Sequence, residues 1–202
     1  MWIGYLQNWA WLDAMDAELL GVFTPIGAEH PGWVTSWDVF CTVLGPTAFR
    51  IACVGVIIWL FIRRRVRAAV FLIVSVELSG LVTQTFKLVA DRARPDTAMV
   101  HAFGTSFPSG HALGVMVAVL ALLTILLPLI RPRWHVTLMV LGAAVVVLIG
   151  LGRVVLNVHH PSDVLAGWAL GFLWYLACLM VVRPLPLTAS VAGTPEVRDT
   201  AN

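Results

Sequence analysis

The sequence predicts an all-α integral membrane protein: a bundle of about five transmembrane helices preceded by an interfacial helix. Three observations lead there. Of 202 residues, 59% are hydrophobic and only 12% are charged, with a mean hydropathy of +0.89, a composition well outside that of soluble domains. The apolar runs have the length, about 20 residues, that a helix needs to cross a bilayer. Arginine clusters punctuate those runs at intervals that fit alternating crossings.

The first 44 residues are expected to form an N-terminal extracytoplasmic, interfacial segment. It carries Trp2, Trp9, Trp11, Trp33 and Trp37, together with Asp13, Asp16 and Glu18, whose charges break any spanning run. Apolar side chains at Trp2, Tyr5, Leu6, Trp9 and Leu12 recur at helical spacing, which suits a helix lying at headgroup level with its rings in the interface. A cleaved signal peptide is the rival reading, but a basic n-region is missing.

Gly45 and Pro46 read as a helix start, because proline at the first helical position gives up an amide that had no partner. From there the expected spans are 46–62, 68–86, 112–130, 136–152 and 164–182, the last three without any charge. Residues 45–183 thus form one membrane-embedded domain. The remainder, 184–202, is rich in Pro, Thr, Ala and Gly and reads as a flexible cytoplasmic tail. No internal repeat is visible.

Arg63, Arg64, Arg65 and Arg67 lie between the first two spans, Arg131 and Arg133 between the third and fourth, and Arg183 after the fifth. All three clusters fall on one side, which the positive-inside rule makes cytoplasmic. Segments 87–111 and 153–163 are then extracytoplasmic in a multi-pass plasma-membrane protein, and the C-terminus is inside. Arginines that border spans form no basic face on a soluble domain, so nucleic acid is not an expected partner. Cys41, Cys53 and Cys178 lack metal-ligand spacing and read as packing residues.

Arg50 and Glu77 fall inside spans, where an unpaired charge is costly. At 1.5 Å per residue they lie about 18 Å and about 15 Å from the cytoplasmic ends, so an ion pair between neighbouring helices is expected, with headgroup binding as the alternative.

Three polar groups gather at the outer ends of the spans. Lys87, Arg92, Arg94 and Pro95 follow span two; arginine offers a planar fork to phosphate oxygens and lysine a point charge, although a snorkelling basic border would look similar. Pro108, Ser109, Gly110 and His111 precede span three. There Ser109 is a plausible N-cap, and the helix start presents free amides to an anion with His111 beside it; a simple interfacial cap is the bland alternative. Arg153, His159 and Asp163 flank the start of span five, with His160, Pro161 and Ser162 between the last two. A carboxylate four residues after a histidine can hold one ring nitrogen and leave the other free to attack. Alternatively the stretch is a helix cap without chemistry.

Taken together, these residues resemble the type-2 phosphatidic acid phosphatases. That family has three signatures: lysine followed after six residues by Arg-Pro; Pro-Ser-Gly-His; and Ser-Arg, five residues, histidine, three residues, aspartate. Lys87, Arg94 and Pro95 match the first, Pro108 to His111 the second, and Arg153, His159 and Asp163 the third, over roughly residues 45–182. Gly152 departs from the pattern, standing where the family has serine.

The resemblance implies a histidine-phosphatase and haloperoxidase-like helical core and a hydrolase acting on lipid phosphates. It makes His159 the nucleophile that forms a phosphohistidine, Asp163 its support and His111 the general acid. Lys87, Arg94, Arg153 and the amides around Ser109 and Gly110 would bind phosphate. No acidic cluster stands near these residues to hold magnesium, so neither a metal nor another cofactor is expected. The expected substrate is a polyprenyl pyrophosphate of the undecaprenyl or decaprenyl carrier type used in cell-wall synthesis. Phosphatidic acid, phosphatidylglycerophosphate, or phosphate transfer to another hydroxyl are the alternatives.

Overall fold

A computed structural model describes residues 1–7 and 9–184; the expected tail lies, beyond Pro184, outside the described residues. Among the described residues nine α-helices follow one another: α1 (Trp2–Leu6), α2 (Ala10–Glu29), α3 (Pro31–Val43), α4 (Pro46–Ile62), α5 (Val66–Leu72), α6 (Ser79–Ala90), α7 (Gly110–Leu126), α8 (His135–Val155) and α9 (Pro161–Val182). Five helical stretches among the described residues are long and apolar enough to cross a membrane: Pro31–Ile62, Val66–Ala90, Gly110–Leu129, Pro132–Val155 and Pro161–Val182. Large aliphatic side chains remain uncovered around the bundle, with Ile51, Ile62, Val136, Leu173 and Val181 each at least 60% exposed. In water that surface would be a liability; facing lipid it is the expected exterior.

Helix α7 is the central post. Leu113, Val115, Val117, Ala118 and Ala121 are all buried, because α4, α8 and α9 surround it. Its closest neighbour is α9, where Gly167 and Gly171 face it: a Cβ on Gly167 would stand 2.7 Å from Ser109 O, and one on Gly171 would stand 2.8 Å from Leu113 O. Two glycines four apart let the helix backbones touch, the usual device of membrane helix pairs. This approach sets the start of α7 against the start of α9, and the Ser109 amide donates to Asp163 O at 3.0 Å.

The expected single interfacial helix through Leu12 is broken. Helix α1 ends at Leu6, and the chain becomes helical again at Ala10. Leu12 is fully buried, and Asp16 and Leu20 are buried too, so the face of α2 that these three share packs inward against the body. The first apolar run also starts earlier than expected, at Pro31, because α3 precedes α4 with only a brief break at Gly45.

The expected α-helix 68–86 contains a π-helical turn over Ile73–Glu77. The Trp174 indole donates to Ser75 O at 2.9 Å, and Ser75 Oγ donates to Phe71 O at 2.6 Å. Such a turn inserts an extra residue and rotates everything after it. The expected Arg50–Glu77 ion pair does not form for this reason. Arg50 Nη2 instead lies 3.5 Å from Ser79 Oγ and packs beside Gly80, while Glu77 Oε1 is buried without a hydrogen-bond partner among the described residues. Counting residues gave the depth of each charge but not its direction around the helix axis.

Candidate active site

The chain alternates direction at each crossing, so the end of α6, the start of α7, the end of α8 and the start of α9 meet at one end of the bundle. The arginine-bearing turns meet at the other, where Arg67 Nη2 donates to Val182 O at 3.0 Å. Between α6 and α7 the chain is held close: Lys87 Nζ donates to Thr105 O, and the Ser106 amide donates to Arg92 O at 2.8 Å. Ser109 caps α7 as expected, its Oγ accepting from the Ala112 amide at 3.4 Å.

His159 is buried at 2% exposure. Its Nε2 lies 3.3 Å from Arg94 Nη1. A guanidinium can only donate, so Nε2 must carry the lone pair and the ring proton sits on Nδ1. That nitrogen faces Asp163 Oδ2 at 3.7 Å, longer than a hydrogen bond, and Nδ1 has no hydrogen-bond partner among the described residues. Burial pushes the imidazole pKa down to about 4; Asp163 opposes the shift, while Arg94 and Arg153 add to it. His159 is therefore a neutral ring with its free nitrogen turned to a cation.

Asp163 is held more tightly by other groups than by His159. Its Oδ1 accepts from Arg92 Nη1 at 2.7 Å, and its Oδ2 accepts from the His160 amide at 2.9 Å and lies 3.2 Å from His160 Nδ1. Proline at the start of α9 and a capping aspartate in the first turn account for this local geometry.

Arg94 is braced by three carbonyls, Val158 O at 2.6 Å, Phe103 O at 2.8 Å and Gly104 O at 2.9 Å. Burial lowers its pKa and the nearby Arg153 lowers it further, without threatening a guanidinium's charge. Arg153 is itself buried, at 6% exposure, and its Nε lacks a hydrogen-bond partner among the described residues. Half-buried His111 lies within the electrostatic reach of Arg153, His159 and Arg94, beside the Gly45 turn. Among the described residues no carboxylate lies within ion-pair distance of Lys87, Arg94 or Arg153. The arrangement is a cationic pocket around a neutral histidine, a place for an anion.

Gly152, the departure from the family pattern, has a packing reason. A Cβ there would stand 2.5 Å from Cys41 Sγ and 3.0 Å from Trp37 Cε3. Helix α3 covers the end of α8 at this point, and the fully buried Cys41 thiol also lies against Arg153.

Arg92, grouped by sequence with the cations expected to bind phosphate, does not join them. Its guanidinium bridges Asp163 and Asp16, with Nη2 at 2.9 Å from Asp16 Oδ2, donates to Ser162 Oγ at 2.7 Å, and lies 4.6 Å from the centre of the Tyr5 ring. Burial works against its charge, but Asp163 and Asp16 more than offset that and raise its pKa. Sequence reasoning treated Asp16 only as a residue that stops a span. The signal for its burial was Leu12, Asp16 and Leu20, spaced four apart on one helical stripe. Asn157, also missed, donates from Nδ2 to Thr24 Oγ1 at 2.7 Å and Thr97 Oγ1 at 3.0 Å, tying α2 and the segment after α6 to the loop that carries His159.

A cavity of about 570 Å³ opens beside these residues, lined in part by Asp13, Asp16, Arg92, Arg94 and His160. Among the described residues no group of three or more His, Cys, Asp or Glu side chains could hold a metal ion.

The PAP2 superfamily model matches residues 68–185. Phosphatidylglycerophosphatase B of Bacillus subtilis is 29% identical over 148 residues, covering 71% of this chain and 72% of its own. Lipid A 1-phosphatase of Rhizobium etli is 29% identical over 190 residues, covering 79% and 77%. Undecaprenyl-diphosphatase of Sulfolobus acidocaldarius is 33% identical over 119 residues, covering 55% and 54%. Among solved structures, a transmembrane PAP2-type phosphatidylglycerolphosphate phosphatase from Bacillus subtilis superposes with a TM-score of 0.70 at 23% identity, over 87% of this chain and 88% of that one.

Proposed function

The chain belongs to the PAP2 superfamily and is a multi-pass membrane lipid phosphatase, and from that premise we propose that it hydrolyses a polyprenyl pyrophosphate at the extracytoplasmic face through a phosphohistidine on His159. The observation that carries this reading is the 3.3 Å contact between Arg94 Nη1 and His159 Nε2. It directs the free nitrogen of a neutral imidazole to the place where a cation would hold a phosphate oxygen.

In the first step His159 Nε2 attacks phosphorus and the bond from phosphorus to the leaving oxygen breaks. His111 donates its proton to that oxygen. Lys87, Arg94 and Arg153, with the amides at the start of α7 around Ser109 and Gly110, hold the equatorial oxygens as charge spreads over them. Asp163 stabilises the charge that the ring acquires. In the second step water gives its proton to His111, its oxygen bonds to phosphorus and the P–N bond breaks, returning His159 and releasing phosphate. Residues 45–183 supply all of these groups, which makes them the phosphatase domain.

The arginine clusters at the opposite end of the bundle support an outward-facing site by the positive-inside rule. An outward site suits a carrier pyrophosphate left facing outward after its cargo is delivered.

The test is phosphate release by the purified protein in the presence of EDTA, from polyprenyl pyrophosphate, phosphatidic acid and phosphatidylglycerophosphate. Release is expected to be fastest from the pyrophosphate, to persist in EDTA and to vanish in His159→Ala. Absence of release from all three would overturn the phosphatase reading. Transfer of label to an added lipid or sugar hydroxyl in place of water would make the enzyme a phosphotransferase.

A further inference from the structure

We propose that Asp16 of α2 is a positioning residue for the reaction: acting through Arg92 and Ser162, it fixes the Asp163 carboxylate that supports His159. This inference rests on the role of His159 proposed above. None of the three signature motifs includes Asp16 or Arg92, and the PAP2 match at 68–185 does not reach α2.

The geometry is a closed ring of short bonds. Asp16 Oδ1 accepts from the Ser162 amide at 2.9 Å, one of the free amides in the first turn of α9. Asp16 Oδ2 accepts from Ser162 Oγ at 2.5 Å and from Arg92 Nη2 at 2.9 Å. Arg92 Nη1 in turn donates to Ser162 Oγ and to Asp163 Oδ1, both at 2.7 Å. Asp16, Arg92, Ser162 and Asp163 are each at most 4% exposed. A salt bridge at a solvated surface contributes little, but one this buried and multiply bonded fixes geometry.

Charge supplies the second half of the argument. An Arg92–Asp163 pair alone would be neutral and would offer little to a ring becoming cationic as Nε2 bonds to phosphorus. With Asp16 on the far side of the guanidinium, the cluster carries one net negative charge, and Asp163 keeps its ability to stabilise that ring. The other charged groups facing His159 are Arg94 from the segment after α6, Arg153 from α8 and His111 from α7, while His160 and Lys87 face Asp163. Both arginines oppose a cationic ring, so the support from the Asp16 side is what offsets them.

The experiment compares full-length wild type with Asp16→Asn, Asp16→Glu, Arg92→Lys and, as a control on the exposed face of α2 away from the cavity, Glu18→Gln. Two readouts are followed across pH: kcat and KM for phosphate release, and deuterium exchange at the His159 ring carbon between the two nitrogens, read by mass spectrometry. Asp16→Asn is expected to lower kcat roughly 10-fold to 100-fold, the scale for losing an orienting partner, with KM little changed. It should also move the His159 titration to lower pH, because the ring loses a negative neighbour. Asp16→Glu should recover most of kcat, and Glu18→Gln should match wild type.

Wild-type kcat and an unmoved His159 titration in Asp16→Asn would overturn the proposal. If Asp16→Asn does not fold, Arg92→Lys decides: it keeps every charge, but a single ammonium cannot bond Asp16 and Asp163 together as the guanidinium does, so an unchanged kcat and titration there would equally overturn it. If wild type releases no phosphate, the functional reading fails, and the deuterium titration alone still tests whether Asp16 acts on His159.

Discussion

Cys41 and Gly152 occupy one place between α3 and α8: a side-chain carbon on Gly152 would come within 2.5 Å of the Cys41 sulfur. The serine expected at this position from the family pattern is excluded by a neighbour on a helix that the pattern does not cover.

Gly152→Ser should therefore destabilise the protein by about 1–3 kcal/mol, the usual cost of adding atoms to a filled core, and disturb Arg153 next to it. Cys41→Ala removes the sulfur and makes room. The double variant should recover much of the thermal midpoint lost in Gly152→Ser, measured on protein in detergent. Equal loss in the single and double variants would mean that Trp37, 3.0 Å away on the same side, sets the limit instead.

The pH profile follows from His159. Its folded pKa is depressed from the usual imidazole value to about 4, so the free base required for attack persists as pH falls and is lost only on passing through that value. kcat/KM measured from about pH 3 to about pH 9 should show its acid limb near the lower value instead of near about 6.5, the value for an unperturbed histidine. An acid limb at the ordinary histidine value would show that the ring is not shielded as described.

Arg94→Lys tests the phosphate fork. Lysine keeps the charge but cannot reach Val158 O, Phe103 O and Gly104 O while also touching His159. The expected loss in kcat/KM is about 100-fold or more, as for removal of an oriented transition-state donor, with a smaller effect on the thermal midpoint because the bonds to Phe103 O and Gly104 O are exposed to solvent. Steady-state kinetics and a melting curve on the same preparation separate the two effects.

Much of this was legible in the sequence for physical reasons. Hydropathy and charge recur along a spanning helix, so the five spans and their common arginine-bearing end could be read directly. Pro161, Ser109 and Asp163 act within one helical turn and were equally readable. Three things were not. The π turn at 73–77 changes rotation without changing composition, so Glu77 was aimed wrongly. Gly167 and Gly171, which bring α7 onto α9, act between helices distant in sequence. The partners of Arg92, Asp16 and Asp163, lie 76 and 71 residues away, and nothing local distinguishes a clamp from a ligand.

Gly171→Leu tests whether that helix contact builds the site. Even a Cβ at Gly171 would meet Leu113 O at 2.8 Å, and that carbonyl belongs to the main chain, so the helices themselves must separate. Loss of stability in the range of about 1–3 kcal/mol is expected. Activity should fall further than the unfolded fraction explains, since Ser109 and His111 ride on α7 while Asp163 rides on α9. Activity per folded molecule equal to wild type would show that the site tolerates the shift.

His111→Ala discriminates between leaving groups. When a phosphomonoester is cleaved, the departing oxygen is an alkoxide, a poor leaving group that needs a proton as the bond breaks. From a pyrophosphate the departing oxygen belongs to a phosphate, which leaves well without one. Loss of a general acid costs about 100-fold to 10,000-fold where the proton is needed. Single-turnover formation of the phosphohistidine should therefore fall by that order with phosphatidic acid, and by about tenfold or less with polyprenyl pyrophosphate. Both substrates share the water step, in which His111 is proposed to act as base, so steady-state turnover would blur the contrast while single-turnover rates keep it. An equal fall with both substrates would remove His111 from the leaving-group side and leave it a role only in activating water.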